Sequence, residues 1–142
     1  YARVPNSPYL LQLEDVFLHL PLPSHPSVRC RSTITLCLVT RLIGHLTCDS
    51  VIKKKYQLPW RVCHRWFSQL ATGLSSLHQY GLVHDDIKPD NILIEGNKEE
   101  MERGDFSNSN VVLCDFGLLC RDGTVGNVAC LWWAAPERLE PL

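Results

Sequence analysis

Residues 84–91 read HDDIKPDN, a polar stretch that contains one histidine, three aspartates and one lysine. This stretch lies between two short apolar runs, Leu82-Val83 and Ile92-Leu93-Ile94. Short apolar runs beside turn-forming residues are typical of strands. The sequence therefore predicts a small hairpin whose connection presents the polar side chains of residues 84–91.

Two further strands and one long helix are predicted before this stretch. Residues 9–20 and 33–40 are apolar enough for strands, and the β-branched content of the second predicts that it is buried. The Pro-rich segment 21–26 between them predicts a loop. After Pro59 the apolar period becomes helical, which predicts a helix over 59–79. The stripe predicted to be buried on this helix consists of Cys63, Phe67, Leu70, Leu74 and Leu77.

Two more motifs occur downstream. Residues 95–110 are charged and rich in turn formers, and they predict an exposed loop. A fourth short strand is predicted at 111–114, and Asp115-Phe116-Gly117 follows it directly. Ala135-Pro136-Glu137 stands further along the chain. Each tripeptide is too short to be specific alone, so the information lies in their order and in the strand that precedes the first of them.

In that order, HDDIKPDN, Asp-Phe-Gly and Ala-Pro-Glu resemble the catalytic loop, the magnesium-binding tripeptide and the end of the activation segment of a eukaryotic protein kinase. The resemblance covers most of the chain from about residue 30 onward. It implies an α+β protein kinase-like fold that is present in part. Residues 1–45 would hold the end of the N-lobe and the hinge, and residues 46–142 the C-lobe through the end of the activation segment.

The resemblance also implies ATP and Mg²⁺ as cofactors and a protein as substrate. Asp86 would be the catalytic base that accepts the proton of the attacking hydroxyl, and Lys88 would neutralise charge on the transferring phosphoryl group. Asn91 and Asp115 would hold the magnesium ions. His84 would pack beneath the magnesium-binding tripeptide and have a structural role.

The same resemblance implies which residues would form the adenine site. Thr40 stands at the position of the family's gatekeeper, and Arg41 to Ile43 at the hinge whose backbone contacts adenine. Leu93 would form the floor of the pocket. Lys88 followed by Pro89 resembles the serine/threonine-directed form of the family, which predicts the hydroxyl class of the substrate.

The chain departs from the family pattern at several points. Asp85 stands where the family usually has an arginine, and Cys130 where many serine/threonine members have a threonine. There is no Gly-x-Gly pair, and the first lysine of the chain is Lys53. We expect that the intact protein is an active kinase and that the fragment of 142 residues is inactive by itself. Two alternatives remain open, a pseudokinase that acts as a binding or scaffolding module and a fragment that does not fold.

Composition excludes several other classes of protein. The chain has 14 Lys and Arg against 15 Asp and Glu, a net charge of -1, which argues against nucleic acid as a partner. It is 45% hydrophobic and 20% charged, as globular proteins are. No apolar run reaches the roughly 18 residues of a membrane span. Because residue 1 is tyrosine, we expect a piece of a longer protein.

The compartment follows only from the subfamily. Asp85, the Pro-rich segment 21–26 and the charged segment 95–110 are also similar to the rhoptry-type kinases of apicomplexan parasites. A rhoptry-type protein would lie in a secretory organelle or in the host cell. Otherwise the expectation is a cytoplasmic protein.

Overall fold

The computed structural model describes residues 5–19, 34–123 and 132–136. The chain divides into two compact units. One comprises Gln12–Arg41, and the other comprises the described residues up to Leu11 and from Leu42 onward. We treat each unit by itself.

The smaller unit is a two-stranded antiparallel ribbon. β1 (Leu13–His19) pairs with β2 (Thr35–Thr40), in a register that sets Phe17 opposite Cys37. Both strands were predicted, but the prediction that β2 is buried is wrong, since Leu36 is 60% exposed. Within the described part of this unit, β2 pairs with β1 alone, and residues 14–19 of β1 are all exposed. The loop predicted at 21–26 lies outside the described residues.

The larger unit is built around the long helix α2 and a three-stranded sheet. The strands are β3 (Leu46–Thr47), β5 (Ile92–Glu95) and β6 (Asn110–Leu113), in the order β3-β5-β6 and antiparallel throughout. The short helix α1 (Cys48–Lys53) follows β3 and is capped by the side chain of Thr47. The hydrophobic core lies between the sheet and α2, where Leu77, Ile94, Val111 and Leu113 are fully buried.

Helix α2 (Trp60–His78) confirms the predicted helix, and its buried face confirms the predicted stripe in part: Leu77 is buried, and Cys63, Leu70 and Leu74 are half-buried. Phe67 of the predicted stripe is 75% exposed. The residues that are buried on α2 are Val62, Trp66, Gln69, Gly73 and Leu77. Trp66 and Gln69 are on this face because their polar atoms find partners there: the Trp66 indole N–H donates to the backbone oxygen of Ser109 at 3.3 Å, for example. Apolarity alone does not reveal such partners.

Helix α2 approaches the segment 9–11 closely at Gly73. A Cβ atom at this position would lie 3.2 Å from the backbone oxygen of Tyr9 and 3.2 Å from the Leu10 side chain. The absence of a side chain thus lets the segment 9–11 lie between α2 and the sheet. There the backbone oxygen of Tyr9 accepts from the N–H of Leu113, and the N–H of Leu11 donates to the oxygen of Leu113.

The predicted hairpin around residues 84–91 is wrong in its pairing. The strand β4 (Leu82–Val83) exists, but it pairs with β7 (Cys120–Arg121) and not with β5. Because β3 and β6 occupy the two edges of β5, no edge remains for β4. The two ends of the polar stretch therefore belong to different sheets.

The prediction of an exposed loop at 95–110 is also wrong. The segment contains α3 (Lys98–Glu102), whose first turn is capped by the Asn97 side chain. Met101 and Phe106 are each 1% exposed. Arg65 of α2 donates to the backbone oxygens of Phe106 and Ser109, which ties the segment to the helix. Met101 and Phe106 are too few among the charged residues to form a periodic pattern, so this packing could not be predicted from the sequence.

The two neighbours Trp66 and Phe67 give a matched test of this packing. Trp66→Ala removes a buried ring that packs edge-on against Phe106 at 5.7 Å, so we expect the free energy of unfolding to fall by about 3–5 kcal/mol. Phe67→Ala removes an exposed ring, so we expect a change within about 0.5 kcal/mol. Urea denaturation of the two variants measures both values. A larger loss of unfolding free energy for Phe67→Ala than for Trp66→Ala would show that Phe67, and not Trp66, is the buried residue of the pair.

Candidate active site

The peptide group of Cys114 joins the polar stretch 84–91 to the motif that begins at Asp115. Its N–H donates to the backbone oxygen of Asn91 at 2.9 Å. Its carbonyl oxygen lies 3.0 Å from Nε2 of His84. Burial raises the pKa of the Cys114 thiol to about 11, so the thiol is protonated at neutral pH. The contribution of Cys114 to the site is therefore made by its backbone.

His84 is buried and makes a hydrogen bond with each ring nitrogen. Nδ1 accepts from the backbone N–H of Asp86 at 3.3 Å, which leaves the proton on Nε2 to donate to Cys114. The His84 ring also packs edge-on against Phe116, with centroids 5.3 Å apart. The predicted structural role of His84 beneath the Asp115 motif is thus confirmed by its contacts.

The Asp86 carboxylate is the centre of the polar stretch and is only 8% exposed. Its Oδ2 accepts from Lys88 Nζ at 2.7 Å and from Asn91 Nδ2 at 2.9 Å. Asn91 Nδ2 also donates to the backbone oxygen of Asp86 at 2.9 Å. The structure therefore brings together three of the predicted site residues, and Asp86 is the residue that both of the others bind.

Asp115 follows β6 and has a left-handed backbone, with φ 62°. Asp tolerates this region better than most residues. Its Oδ1 accepts from the N–H of Gly117 at 3.3 Å and caps the short 3₁₀ turn Phe116–Leu118. Asn91 ends the corresponding 3₁₀ turn, Pro89–Asn91, directly before β5. The Cys114–Asn91 hydrogen bond therefore sets the two predicted metal ligands at the same end of the β5–β6 pair.

The donor set of Asn91 and Asp115 fits magnesium. An amide oxygen and a carboxylate oxygen are hard ligands of the kind that Mg²⁺ takes, with water and phosphate completing the shell. The described residues contain no group of three or more His, Cys, Asp and Glu side chains that would hold a metal ion in an all-protein cage. A site with few protein ligands is the arrangement typical of magnesium bound together with a nucleotide.

The residues predicted for adenine lie in both units. In the larger unit, Ile43 is buried and Leu93 is half-buried in β5. Gly44 approaches β5 so closely that a Cβ atom would lie 2.6 Å from the backbone oxygen of Ile94. In the ribbon, Thr40 ends β2 and is half-buried, and Arg41 after it is exposed.

Sequence reasoning missed the polar residues that support the site. Gln69 was overlooked because a glutamine on a helix is more often exposed than buried. A signal existed, since Gln69 falls on the same helical face as Trp66 and Gly73. The role of the Cys114 backbone leaves no signal in the sequence. Two other residues singled out above, Cys130 and Glu137, lie outside the described residues.

The family of the chain follows from comparison with known protein families. The family model described as protein kinase domain matches residues 3–141, so the chain belongs to the protein kinase domain family. This confirms the family resemblance and the α+β fold that it implied. Among the described residues, no helix combines the length and the apolar character needed to cross a membrane.

The chain is similar in sequence to curated kinases from several organisms. It is 32% identical over 116 residues to cyclin-dependent kinase-like 2 of Homo sapiens, which is 78% of this chain and 21% of that protein. It is 33% identical over 94 residues to mitogen-activated protein kinase 4 of Oryza sativa subsp. japonica, which is 63% of this chain and 22% of that protein.

A third relative is serine/threonine-protein kinase ppk18 of Schizosaccharomyces pombe, 34% identical over 83 residues, 58% of this chain and 6% of that protein. The chain thus spans about a fifth of the length of the first two relatives. These relatives agree with the serine/threonine type predicted from Lys88 and Pro89. Their names do not point to the rhoptry type.

The buried His84 makes stability depend on pH. Burial lowers the pKa of His84 below its ordinary 6.5, and it outweighs the opposing influence of the bond to Cys114 and of the carboxylates Asp86, Asp115 and Asp85. The unfolded chain then takes up a proton more readily than the folded one, so stability is present above about pH 6.5 and is lost as the pH falls below it.

We therefore expect the free energy of unfolding to fall between pH 7.5 and pH 5.5, and to fall less in His84→Gln, which can make both hydrogen bonds without titrating. Denaturant unfolding at a series of pH values measures the slope. His78→Gln, at the exposed end of α2, is the control and should keep the wild-type slope. Equal slopes in all three proteins would show that His84 is not the group responsible.

Proposed function

We propose that the protein carrying this chain transfers the γ-phosphoryl group of ATP to a serine or threonine hydroxyl of a protein substrate. The observation that supports this most strongly is the geometry of Asp86, a buried carboxylate that Lys88 and Asn91 both bind through one oxygen. Phosphoryl transfer requires little covalent work from the protein, which mainly positions groups and neutralises charge.

Asp86 is the proposed catalytic base. Lys88 and Asn91 bind Oδ2, so Oδ1 of the same carboxylate makes neither of these bonds and is the oxygen we assign to the substrate hydroxyl. The carboxylate accepts the hydroxyl proton as the oxygen attacks phosphorus. The two hydrogen bonds fix the rotamer of Asp86 before substrate binds, which limits the reorganisation needed during the reaction.

Lys88 has two roles in this proposal. Its ammonium group lies 2.7 Å from the Asp86 carboxylate, with a side chain that is 24% exposed. It is therefore within reach of both the base and solvent, where the phosphate would enter. The positive charge of Lys88 offsets the negative charge of the phosphoryl group, which would otherwise be repelled by the Asp86 carboxylate.

Asn91 and Asp115 are the proposed ligands of magnesium. When bound, the metal supplies positive charge that neutralises the phosphate oxygens of ATP. The residues of this chain hold it in place: the amide nitrogen of Asn91 is bound to Asp86, so its amide oxygen faces away from the base. The Asp115 carboxylate is held on one oxygen by the N–H of Gly117.

The proposal also assigns the residues that would bind adenine and the boundaries of the two lobes. We assign Thr40 to the gatekeeper position, Arg41 and Ile43 to the hinge, and Leu93 to the floor of the adenine pocket. Residues 1–45 are assigned to the end of the N-lobe and the hinge, and residues 46–142 to the C-lobe. The protein would act in the cytoplasm.

A pseudokinase is the second candidate, and Asp85 is the residue that favours it. A carboxylate at this position would repel, and not bind, a phosphate on the activation segment. The full-length protein separates the two candidates. Magnesium-dependent turnover that depends on Asp86 supports the kinase, and a folded protein that binds partners without any turnover supports the pseudokinase.

The base is tested by Asp86→Asn in the full-length protein. The amide oxygen can still accept from Asn91 and Lys88, so nucleotide binding should be retained, whereas phosphoryl transfer should fall by about 100-fold or more because the proton acceptor is lost. Asp90→Asn, in the same loop but exposed, is the matched control and should keep its activity. Radiolabel transfer to a peptide substrate measures both variants, and full activity of Asp86→Asn would contradict the assignment.

The metal site is tested by Asp115→Asn. Asparagine tolerates the left-handed backbone and can still cap Gly117, so the turn should persist while the charge that attracts magnesium is removed. We expect the enhancement of ADP binding by Mg²⁺ to be lost and binding without Mg²⁺ to change little. Calorimetric titration of ADP with and without Mg²⁺ measures this, and Asp122→Asn, exposed beyond β7, is the control. An unchanged magnesium effect in Asp115→Asn would reject the ligand assignment.

A further inference from the structure

Gln69 uses both ends of its amide on the strand that leads to Asp115. Its Oε1 accepts from the backbone N–H of Val111 at 3.0 Å, and its Nε2 donates to Oδ1 of Asn110 at 2.6 Å. The side chain is 8% exposed. Asn110 is exposed, but Val111 is fully buried, so a shift that breaks the bond between Gln69 and Val111 leaves a backbone N–H that water cannot reach.

The bond to Val111 is on the outer edge of β6. Alternate residues of an antiparallel strand direct their N–H and C=O groups to the same edge. Leu113 directs both groups to the segment 9–11, so Val111, two residues earlier, shares that edge. Cys114 directs its N–H to Asn91, on the opposite edge beside β5. Gln69 therefore holds β6 from the side opposite to the one that binds the polar stretch.

Other residues of α2 hold the neighbouring chain but not the strand itself. Arg65 and Trp66 bind the backbone of Phe106 and Ser109, before β6 begins. Among the α2 side chains with described hydrogen bonds, Gln69 is the one that hydrogen-bonds to residues of β6. The position of β6 along α2 thus depends on Gln69, and the strand ends two residues before Asp115.

We propose that Gln69 is a positioning residue for the magnesium site. It sets the position of β6, and β6 carries Asp115 directly and holds Asn91 through the N–H of Cys114. The inference rests on the function proposed above, in which Asn91 and Asp115 bind magnesium. Replacing a residue that orients metal ligands without binding the metal typically lowers metal affinity by about 10–100-fold.

The test compares two substitutions of Gln69 in the full-length protein. Gln69→Leu removes both hydrogen bonds, so the Mg²⁺ concentration for half-maximal ADP binding should rise by about tenfold. Gln69→Glu keeps the acceptor for Val111, and the Asn110 amide can turn to donate to it, so affinity should stay within about twofold. Amide hydrogen exchange of Val111 should accelerate in Gln69→Leu and remain slow in Gln69→Glu.

Trp66→Phe is the control for stability. It loses the indole hydrogen bonds to Ser109 and lowers the melting temperature, but these bonds are made before β6 begins, so its magnesium requirement should be that of the wild type. A purely structural role for Gln69 would make Gln69→Leu and Trp66→Phe behave alike. An unchanged magnesium requirement in Gln69→Leu, or a raised one in Gln69→Glu, would overturn the inference.

Asp115→Asn separates this inference from the proposed function. If Asp115→Asn loses the magnesium effect and Gln69→Leu keeps it, only the positioning role fails. If Asp115→Asn also keeps it, the magnesium site itself is wrongly assigned. Where Gln69→Leu does not fold, the Gln69→Glu result still decides the matter, since loss of magnesium affinity there contradicts the proposal.

Discussion

The site depends on one peptide group, that of Cys114, which hydrogen bonds in two directions. Its N–H binds Asn91 and its carbonyl binds His84, so two points of the polar stretch are fixed to the strand that ends in the Asp115 motif. Both partners are buried, and a buried backbone group that loses its partner is costly. The proposed base and the proposed metal ligands therefore keep their relative positions as long as β6 keeps its own.

The position of β6 is determined from both of its edges. On one side it pairs with β5, and Ile92 lies opposite Leu113. On the other side α2 acts at two points, directly through Gln69 and indirectly through Gly73, which admits the segment that binds Leu113. A strand held on both edges cannot slip, since a one-residue shift would reverse all of its side chains. The long helix thus contributes to the geometry of the proposed site although none of its residues is proposed to touch the nucleotide.

The sequence predicted which residues lie together at the site better than it predicted the packing around them. The motif residues Asp86, Asn91 and Asp115 carry their own chemistry, so their order in the chain was informative. The helix α2 was also predictable, because its period is local. Trp66 and Gln69 were missed on the buried face because their burial depends on Ser109 and Asn110, about forty residues away in the chain. The wrong pairing of β4 has the same cause, since a strand only two residues long does not identify its partner.

Asp85 shows how a departure from the family pattern can leave the site intact. Its backbone has φ 60°, a left-handed conformation that aspartate tolerates better than most residues do. The neighbours on either side, His84 and Asp86, are buried and bonded to each other across this residue. Position 85 therefore demands a backbone conformation and not a particular charge. The negative charge of Asp85 does favour the protonated form of His84, but burial of the ring outweighs it and keeps the imidazole neutral. The hydrogen bonds that orient Asp86 consequently do not require the usual arginine.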